Sequence, residues 1–179
     1  MESTEDITPS ILKENIQNDA NLNSPLGVGG SNNSPLGVGG STHIGTMNSK
    51  KTAKILVFST EKISDPAIDM AGLLKLHYPP TVYTISIPCS SGIKPSWILY
   101  AYEKGFDGVF IAADGSDCVF GESCTEKTGH LVGKTHNMMK EKGIEPARLR
   151  MAAICSVCSE SFVKQMRTFN EYLLKTRPE

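Results

Sequence analysis

Four short apolar runs, each followed by a segment with helical character, constrain the fold of this chain more than any other feature. The runs cover residues 54–59, 81–87, 108–113 and 149–154. Apolar runs of this length, bounded by turn residues, are typical of buried strands in a parallel sheet. Strands that alternate with helices over connections of this length form right-handed βαβ units. The sequence therefore predicts an α/β domain.

The segments between these runs carry helix signals. Asp65 precedes Pro66, as expected for an N-cap residue followed by a proline in the first turn. Pro95 starts the next helix, and Ser123 and Glu126 have the spacing of a capping box. The last segment has an amphipathic stripe, formed by Phe162, Met166, Phe169 and Leu173. These signals predict a small open parallel sheet of about four strands with flanking helices, of the Rossmann or flavodoxin-like kind.

Residues 1–50 differ in composition from the rest of the chain. They contain a direct repeat, in which residues 23–31 are copied at 33–41, and Gly, Ser, Asn and Pro dominate. Such a segment cannot bury enough apolar surface to offset the conformational entropy of ordering it. We therefore predict two parts, a disordered N-terminal tail over residues 1–50 and an α/β domain over residues 51–179.

Composition and charge exclude several classes of function. A formal net charge of −1 gives no basic face for nucleic acid. No apolar stretch approaches the roughly 18 residues that a membrane span requires. The polar, acidic N-terminus does not resemble a secretory signal, which predicts a cytoplasmic protein. In that reducing compartment, five cysteines point to metal or redox chemistry.

All five cysteines directly follow predicted strands. Cys89 follows the second strand, Cys118 and Cys124 follow the third, and Cys155 and Cys158 follow the fourth. Parallel strands bring these thiols to one edge of the sheet, which is where open α/β folds place their sites. We predict that the thiols hold a metal or an iron–sulfur cluster.

The assignment of individual ligands leaves alternatives open. Cys155 and Cys158 form a Cys-x-x-Cys pair directly before a helix, whose N-terminal amides stabilise thiolate charge. Such a pair suits a dithiol redox couple, half of a zinc site or half of a cluster site. Cys118 and Cys124 would complete a four-thiolate set for an iron–sulfur centre or for zinc. Cys89, from a third loop, either replaces one of these ligands or approaches the cluster from outside.

Competing sites have weaker support. No phosphate-binding glycine motif follows the first strand, which disfavours nucleotide binding. No histidine follows a strand end, which disfavours a hydrolase with a serine or cysteine nucleophile. Asp114 and Asp117 follow the third strand, where aspartate commonly serves turn chemistry.

Residues 54–174 resemble a known family through a set of motifs. The matching motifs are Ala71-Gly72, residues 77–80, Cys89-Ser90, residues 93–96, residues 103–110, Asp117-Cys118 and residues 143–149. The family is the iron–sulfur (delta) subunit of methyl-viologen-reducing hydrogenase. The resemblance covers essentially all of the predicted folded domain and none of the tail.

This resemblance implies an electron relay. In the family, the subunit links a hydrogenase or other dehydrogenase module to the flavin-containing subunit of heterodisulfide reductase, and a [2Fe–2S] cluster is expected. We therefore expect an electron-transfer subunit of a cytoplasmic multisubunit oxidoreductase, rather than a stand-alone enzyme. Its cluster, for which a [4Fe–4S] type is also compatible, would be held by Cys118, Cys124, Cys155 and Cys158. The alternatives are a cluster-less or zinc-stabilised assembly module and a thiol-redox protein that uses Cys155 and Cys158.

The cysteine pattern departs from that of the family. Family members commonly have cysteines straight after the first strand, where residues 59–63 of this chain contain none, and a cysteine at the position of Ala113. Cys89 and Cys118 match cysteine positions of the family, whereas the other three cysteines do not. We interpret the chain as a variant branch whose ligands have moved to the loops after the third and fourth strands.

Overall fold

The structure, a computed structural model, describes residues 52–121 and 123–176. The predicted disordered tail over residues 1–50 lies outside the described residues, so the proposed domain boundary stays a prediction. Within the described part, none of the helices has the length and apolar character to span a bilayer.

Four strands alternate with four helices. Their bounds, in chain order, are β1 Ile55–Thr60, α1 Ser64–Leu73, β2 Val82–Ile87, α2 Pro95–Glu103, β3 Gly108–Ala113, α3 Ser123–Glu141, β4 Leu149–Ala153 and α4 Ser159–Thr176. Single 3-10 turns at Ser90–Gly92, Gly115–Asp117 and Pro146–Arg148 lie in the loops. The predicted α/β alternation is therefore confirmed.

The four strands form one parallel sheet in the order β2-β1-β3-β4. This is the order of a doubly wound sheet of the flavodoxin type, in which the chain moves to one side of β1 and then to the other. The point where the direction reverses lies between the carboxyl ends of β1 and β3. The predicted small open parallel sheet is confirmed, and all five cysteines follow the carboxyl ends of its strands.

The two central strands are buried on both faces. Every residue of β1 and β3 is buried, whereas the edge strands β2 and β4 are partly exposed. On one face, alternate residues of the central strands pack against α1 and α4, and the predicted stripe of α4 is buried there. Helices α2 and α3 contact each other and pack on strands β3 and β4.

The start of α1 differs from the prediction. The helix begins at Ser64, and the preceding residue Ile63 makes no side-chain cap hydrogen bond. The prediction that Asp65 is the N-cap is therefore wrong. The Asp65 carboxylate instead accepts a hydrogen bond of 2.6 Å from the Ser59 hydroxyl, which ties the first turn of α1 to the end of β1.

Close packing of α4 on the sheet depends on a glycine. A Cβ atom at Gly108, the first residue of β3, would lie 2.7 Å from both Phe169 Cζ and Leu173 Cδ1. Phe169 is fully buried and its ring lies 6.3 Å from that of Phe110. The aromatic stripe of α4 is thus a central part of the core.

We expect Phe169→Ala to lower the free energy of unfolding by about 3–5 kcal/mol, because it removes a fully buried ring and leaves a cavity. Urea denaturation measures the change. Phe120→Ala is the matched control: this ring is 65% exposed, and its loss should change stability by less than about 0.5 kcal/mol. Equal destabilisation by the two variants would contradict the described packing.

Candidate metal centre

Three cysteines from two loops meet at the carboxyl edge of the sheet. The Sγ atoms of Cys89, Cys118 and Cys124 all lie within 4.8 Å of one another. Cys89 Sγ and Cys124 Sγ are 2.6 Å apart and share a hydrogen bond. Among the described residues, this is the one group of three or more potential metal ligands so arranged.

The loop after β2 presents Cys89 in an extended conformation. Cys89 has φ −155° and ψ 134°, and the 3-10 turn that follows is closed by a 3.1 Å hydrogen bond from Gly92 N to Cys89 O. The Cys89 thiol also shares a hydrogen bond of 3.1 Å with the Ser91 hydroxyl. This turn holds the thiol at the end of an edge strand, where it is partly exposed.

The loop after β3 delivers the other two thiols in successive turns. Gly115 adopts a positive φ of 71°, and its carbonyl accepts a 2.5 Å hydrogen bond from Thr125 Oγ1 in the first turn of α3. Gly121 N then bonds to Cys118 O, and Cys124 N bonds to Gly121 O, both at 3.1 Å. Cys118 and Cys124 are consequently buried on the same side of one compact loop.

A buried pair of hydroxyls joins the two loops. Ser90 Oγ and Thr128 Oγ1 are 2.9 Å apart, and Thr128 Oγ1 donates a 2.9 Å hydrogen bond to Cys124 O. Both hydroxyl-bearing residues are almost fully buried. This bridge fixes the loop that carries Cys89 against the helical turn that carries Cys124.

The thiols influence each other's protonation. Burial raises the pKa of Cys118, and its interactions with Cys124 and with the Asp114 carboxyl raise it further. Burial alone would also raise the pKa of Cys124, but hydrogen bonds from Cys89, Ser91 and Cys118 outweigh it and lower the pKa below its usual value. Cys124 is therefore the thiol whose anion this environment favours most clearly.

Asp114 is a buried acidic residue beside the thiols. It follows β3 directly, and its Oδ1 atom accepts a hydrogen bond from Thr60 Oγ1 at the end of β1. Its Oδ2 atom is buried and has no hydrogen-bond partner among the described residues. Sequence reasoning assigned this aspartate to turn chemistry and missed it as a site residue. The signal that was available is its place directly after the buried strand β3, at the edge of the sheet where the cysteines also lie.

The structure separates the remaining two cysteines from this group. Cys155 and Cys158 follow β4 and form a disulfide with each other, with their Cα atoms 5.0 Å apart. Cys118 and Cys124, which we grouped with them on sequence, lie instead with Cys89. The four-thiolate set of Cys118, Cys124, Cys155 and Cys158 stays a prediction, and it requires reduction of that disulfide.

The donor set fits a thiophilic metal centre. Three convergent thiols match the preference of iron–sulfur clusters and zinc for sulfur ligands. A neighbouring buried carboxyl oxygen without a partner adds a potential fourth donor. The fold and this site together define a small α/β protein with a group of three convergent thiols at the carboxyl edge of its sheet.

Comparison with known proteins identifies the family. The family model for the methyl-viologen-reducing hydrogenase delta subunit matches residues 55–176, which include the whole sheet and all five cysteines. The chain belongs to this family, and the resemblance noted from its motifs is confirmed.

Individual relatives agree with this placement. The chain is 34% identical over 117 residues to an iron-sulfur subunit of the F420-non-reducing hydrogenase of Archaeoglobus profundus, covering 63% of this chain and 82% of the relative. It is 34% identical over 110 residues to the vhc iron-sulfur subunit of that hydrogenase from Methanococcus voltae, covering 61% and 76%. It also matches one subunit of the ferredoxin:CoB-CoM heterodisulfide reductase of Methanosarcina mazei at 26% identity, over 74% of this chain but 17% of that protein.

We expect Cys89→Ser to weaken Co²⁺ binding to the protein kept without reductant, because it removes one of three convergent thiols. The loss should exceed the roughly 10–100-fold cost of removing an outer-shell partner. Thiolate-to-cobalt charge-transfer absorption measures both affinity and thiolate ligation.

The matched control is the double variant Cys155→Ser/Cys158→Ser, which removes two thiols already bonded to each other. It should bind Co²⁺ as the unmodified protein does. Loss of binding in the double variant, with retention in Cys89→Ser, would show that the grouping of the thiols described here is wrong.

Proposed function

We propose that this protein is an electron-transfer iron–sulfur subunit of a multisubunit oxidoreductase. The observation that carries the proposal is the convergence of Cys89, Cys118 and Cys124 within 4.8 Å, in a chain of the hydrogenase delta-subunit family. The relatives are named as iron-sulfur subunits, which agrees with this use of the thiols. A cluster at this site would accept and release one electron at a time, and the family resemblance favours the [2Fe–2S] type.

The residues of the chain supply four conditions that such a site requires. The thiols provide soft anionic ligands, and the burial of Cys118 and Cys124 limits the access of water. Cys124 lies in the first turn of α3, where the free amides of the helix N-terminus stabilise negative charge. The Ser90–Thr128 bridge holds the two ligand loops in fixed relation, as a supporting shell should.

The surface beside the site suits partner subunits. Val119 and Phe120 follow Cys118 directly and are 61% and 65% exposed. Exposed apolar side chains next to a redox site are typical of a docking surface. We propose that they contact a heterodisulfide-reductase-like subunit and hydrogenase or dehydrogenase subunits, in line with the names of the relatives. That the first of these subunits contains a flavin is what the family resemblance implies.

We expect protein purified without oxygen to contain iron and acid-labile sulfide, and to give an electron paramagnetic resonance signal after reduction. Cys124→Ser should lose most of the iron, because it removes a buried ligand in contact with both other thiols. Ser156→Ala, a change in the loop after β4, is the control and should retain the full signal. Iron-free protein would overturn the proposal, and stoichiometric zinc would favour an assembly module instead.

A second candidate function uses the other pair of cysteines. Cys155 and Cys158 are joined by a disulfide and lie directly before α4, with Cys158 N bonded to Cys155 O at 2.9 Å. Both residues are partly exposed. Two electrons and two protons from a dithiol reductant would convert this disulfide to two thiols, so the pair can act as a two-electron thiol–disulfide couple.

We expect mild dithiol treatment of the denaturant-free protein to add two alkylatable thiols, corresponding to the one disulfide. Mass spectrometry of the alkylated protein gives the count. The Cys155→Ser/Cys158→Ser variant should gain none under the same treatment. If the variant gains as many thiols as the unmodified protein, the couple does not lie at this pair.

A further inference from the structure

Asp114 is the only acidic or basic residue among the buried side chains of the described residues. It is 4% exposed, and its Oδ2 atom has no hydrogen-bond partner in that part of the chain. Leaving a buried polar atom unpaired is unfavourable, and more so when the group is charged. Buried carboxyl groups of this kind are normally paired or coordinate a metal. The orphaned oxygen therefore requires an explanation.

The position of Asp114 is fixed by the strand order. It follows β3, and Thr60, which donates a hydrogen bond to its Oδ1, is the last residue of β1. These two strand ends flank the point at which the sheet changes direction, and ligands of open α/β folds bind there. Because Oδ1 is held by Thr60, the orientation of the carboxyl group is set and Oδ2 remains for another partner.

Within the site, the carboxyl group of Asp114 interacts with the thiol of Cys118. Asp114 does not, however, belong to the group of donors that lie within 4.8 Å of one another. In a site for a single metal ion, all donors approach each other closely because they share one coordination sphere. In a centre with more than one iron, different irons bind different ligands. A carboxylate that lies on one side of the thiol group is compatible with such a centre.

We propose that Asp114 is the fourth ligand of the metal centre, so that three thiolates and one carboxylate hold an iron–sulfur cluster of at least two irons. This inference rests on the proposed iron–sulfur function and adds the identity of the missing donor. The other thiols of the chain, Cys155 and Cys158, are bonded to each other after β4. Three thiolates and a carboxylate carry the same total charge as four thiolates, but the oxygen is a harder ligand.

The direct test is iron X-ray absorption on the full chain, purified without oxygen or reconstituted with ferrous iron and sulfide. We expect an oxygen scatterer at a shorter distance than the sulfur shell, in the unmodified protein and in Cys155→Ser/Cys158→Ser alike. A first shell of sulfur alone would overturn the assignment of Asp114 and leave the iron–sulfur function intact. Protein that binds no iron would overturn the function itself.

Variants of Asp114 provide a second readout. Asp114→Asn keeps an acceptor for Thr60 but removes the anionic ligand, so iron content should fall at least several-fold. Asp114→Cys should retain iron, lose the oxygen scatterer and shift the electron paramagnetic resonance g values. Asp107→Asn is the matched control, since Asp107 flanks the opposite end of β3 and its Oδ2 accepts a 2.8 Å hydrogen bond from Lys54 N.

Asp107→Asn should show the iron content and spectrum of the unmodified protein, and circular dichroism should confirm that all three variants are folded. Unchanged iron content and g values in folded Asp114→Asn would overturn the proposal, as would a spectrum of Asp114→Cys identical to that of the unmodified protein. If Asp114→Asn does not fold, Asp114→Cys and the X-ray absorption of the unmodified protein decide the question.

Discussion

The hydrogen bonds that join the carboxyl ends of β1 and β3 are the constraint on which the site depends. Ser64 Oγ accepts a 2.6 Å hydrogen bond from Thr60 N and donates one of 2.9 Å to Ala112 O. Thr60 Oγ1 in turn binds Asp114. These buried contacts hold the first turn of α1, the end of β1 and the end of β3 together. The loops on either side therefore diverge from a fixed point, at the place where the strand order reverses.

A second constraint brings in the thiol of the edge strand. β2 and β3 lie on opposite sides of β1 in the sheet, so Cys89 and Cys118 begin on loops separated by a whole strand. The contact between Ser90 and Thr128 closes this distance, because it ties the turn after Cys89 to the first turns of α3. Both hydroxyls are buried, and Thr128 Oγ1 also donates to Cys124 O, so loss of the Thr128 hydroxyl would remove both contacts at once. The site is consequently built by loops across β1 rather than by adjacent residues in the chain.

Much of the fold could be predicted from the sequence, but the grouping of the thiols could not. Four apolar runs and the stripe on α4 are local patterns, and β1, β3 and α4 bury the side chains that those patterns indicated. The strand order is not a local pattern, and it determines which loops become neighbours. The Cys-x-x-Cys spacing looked like half of a ligand set, yet it also places Cys155 and Cys158 close enough to bond to each other. Cys89, which the sequence left open as an alternate ligand or a neighbour of the cluster, lies 2.6 Å from Cys124.

The chemistry of the site follows from its charge balance. Neither lysine nor arginine is found among the buried side chains of the described residues, whereas three thiols converge at the edge of the sheet and one buried carboxyl group interacts with Cys118. Several anions cannot be buried together without compensation, because desolvation and mutual repulsion both oppose their ionisation. Protons provide part of this compensation, since burial raises the pKa of Cys118, whereas hydrogen bonds from neighbouring side chains lower the pKa of Cys124. A cation that binds here displaces those protons, so deprotonation of the ligands and occupation of the site are one coupled event.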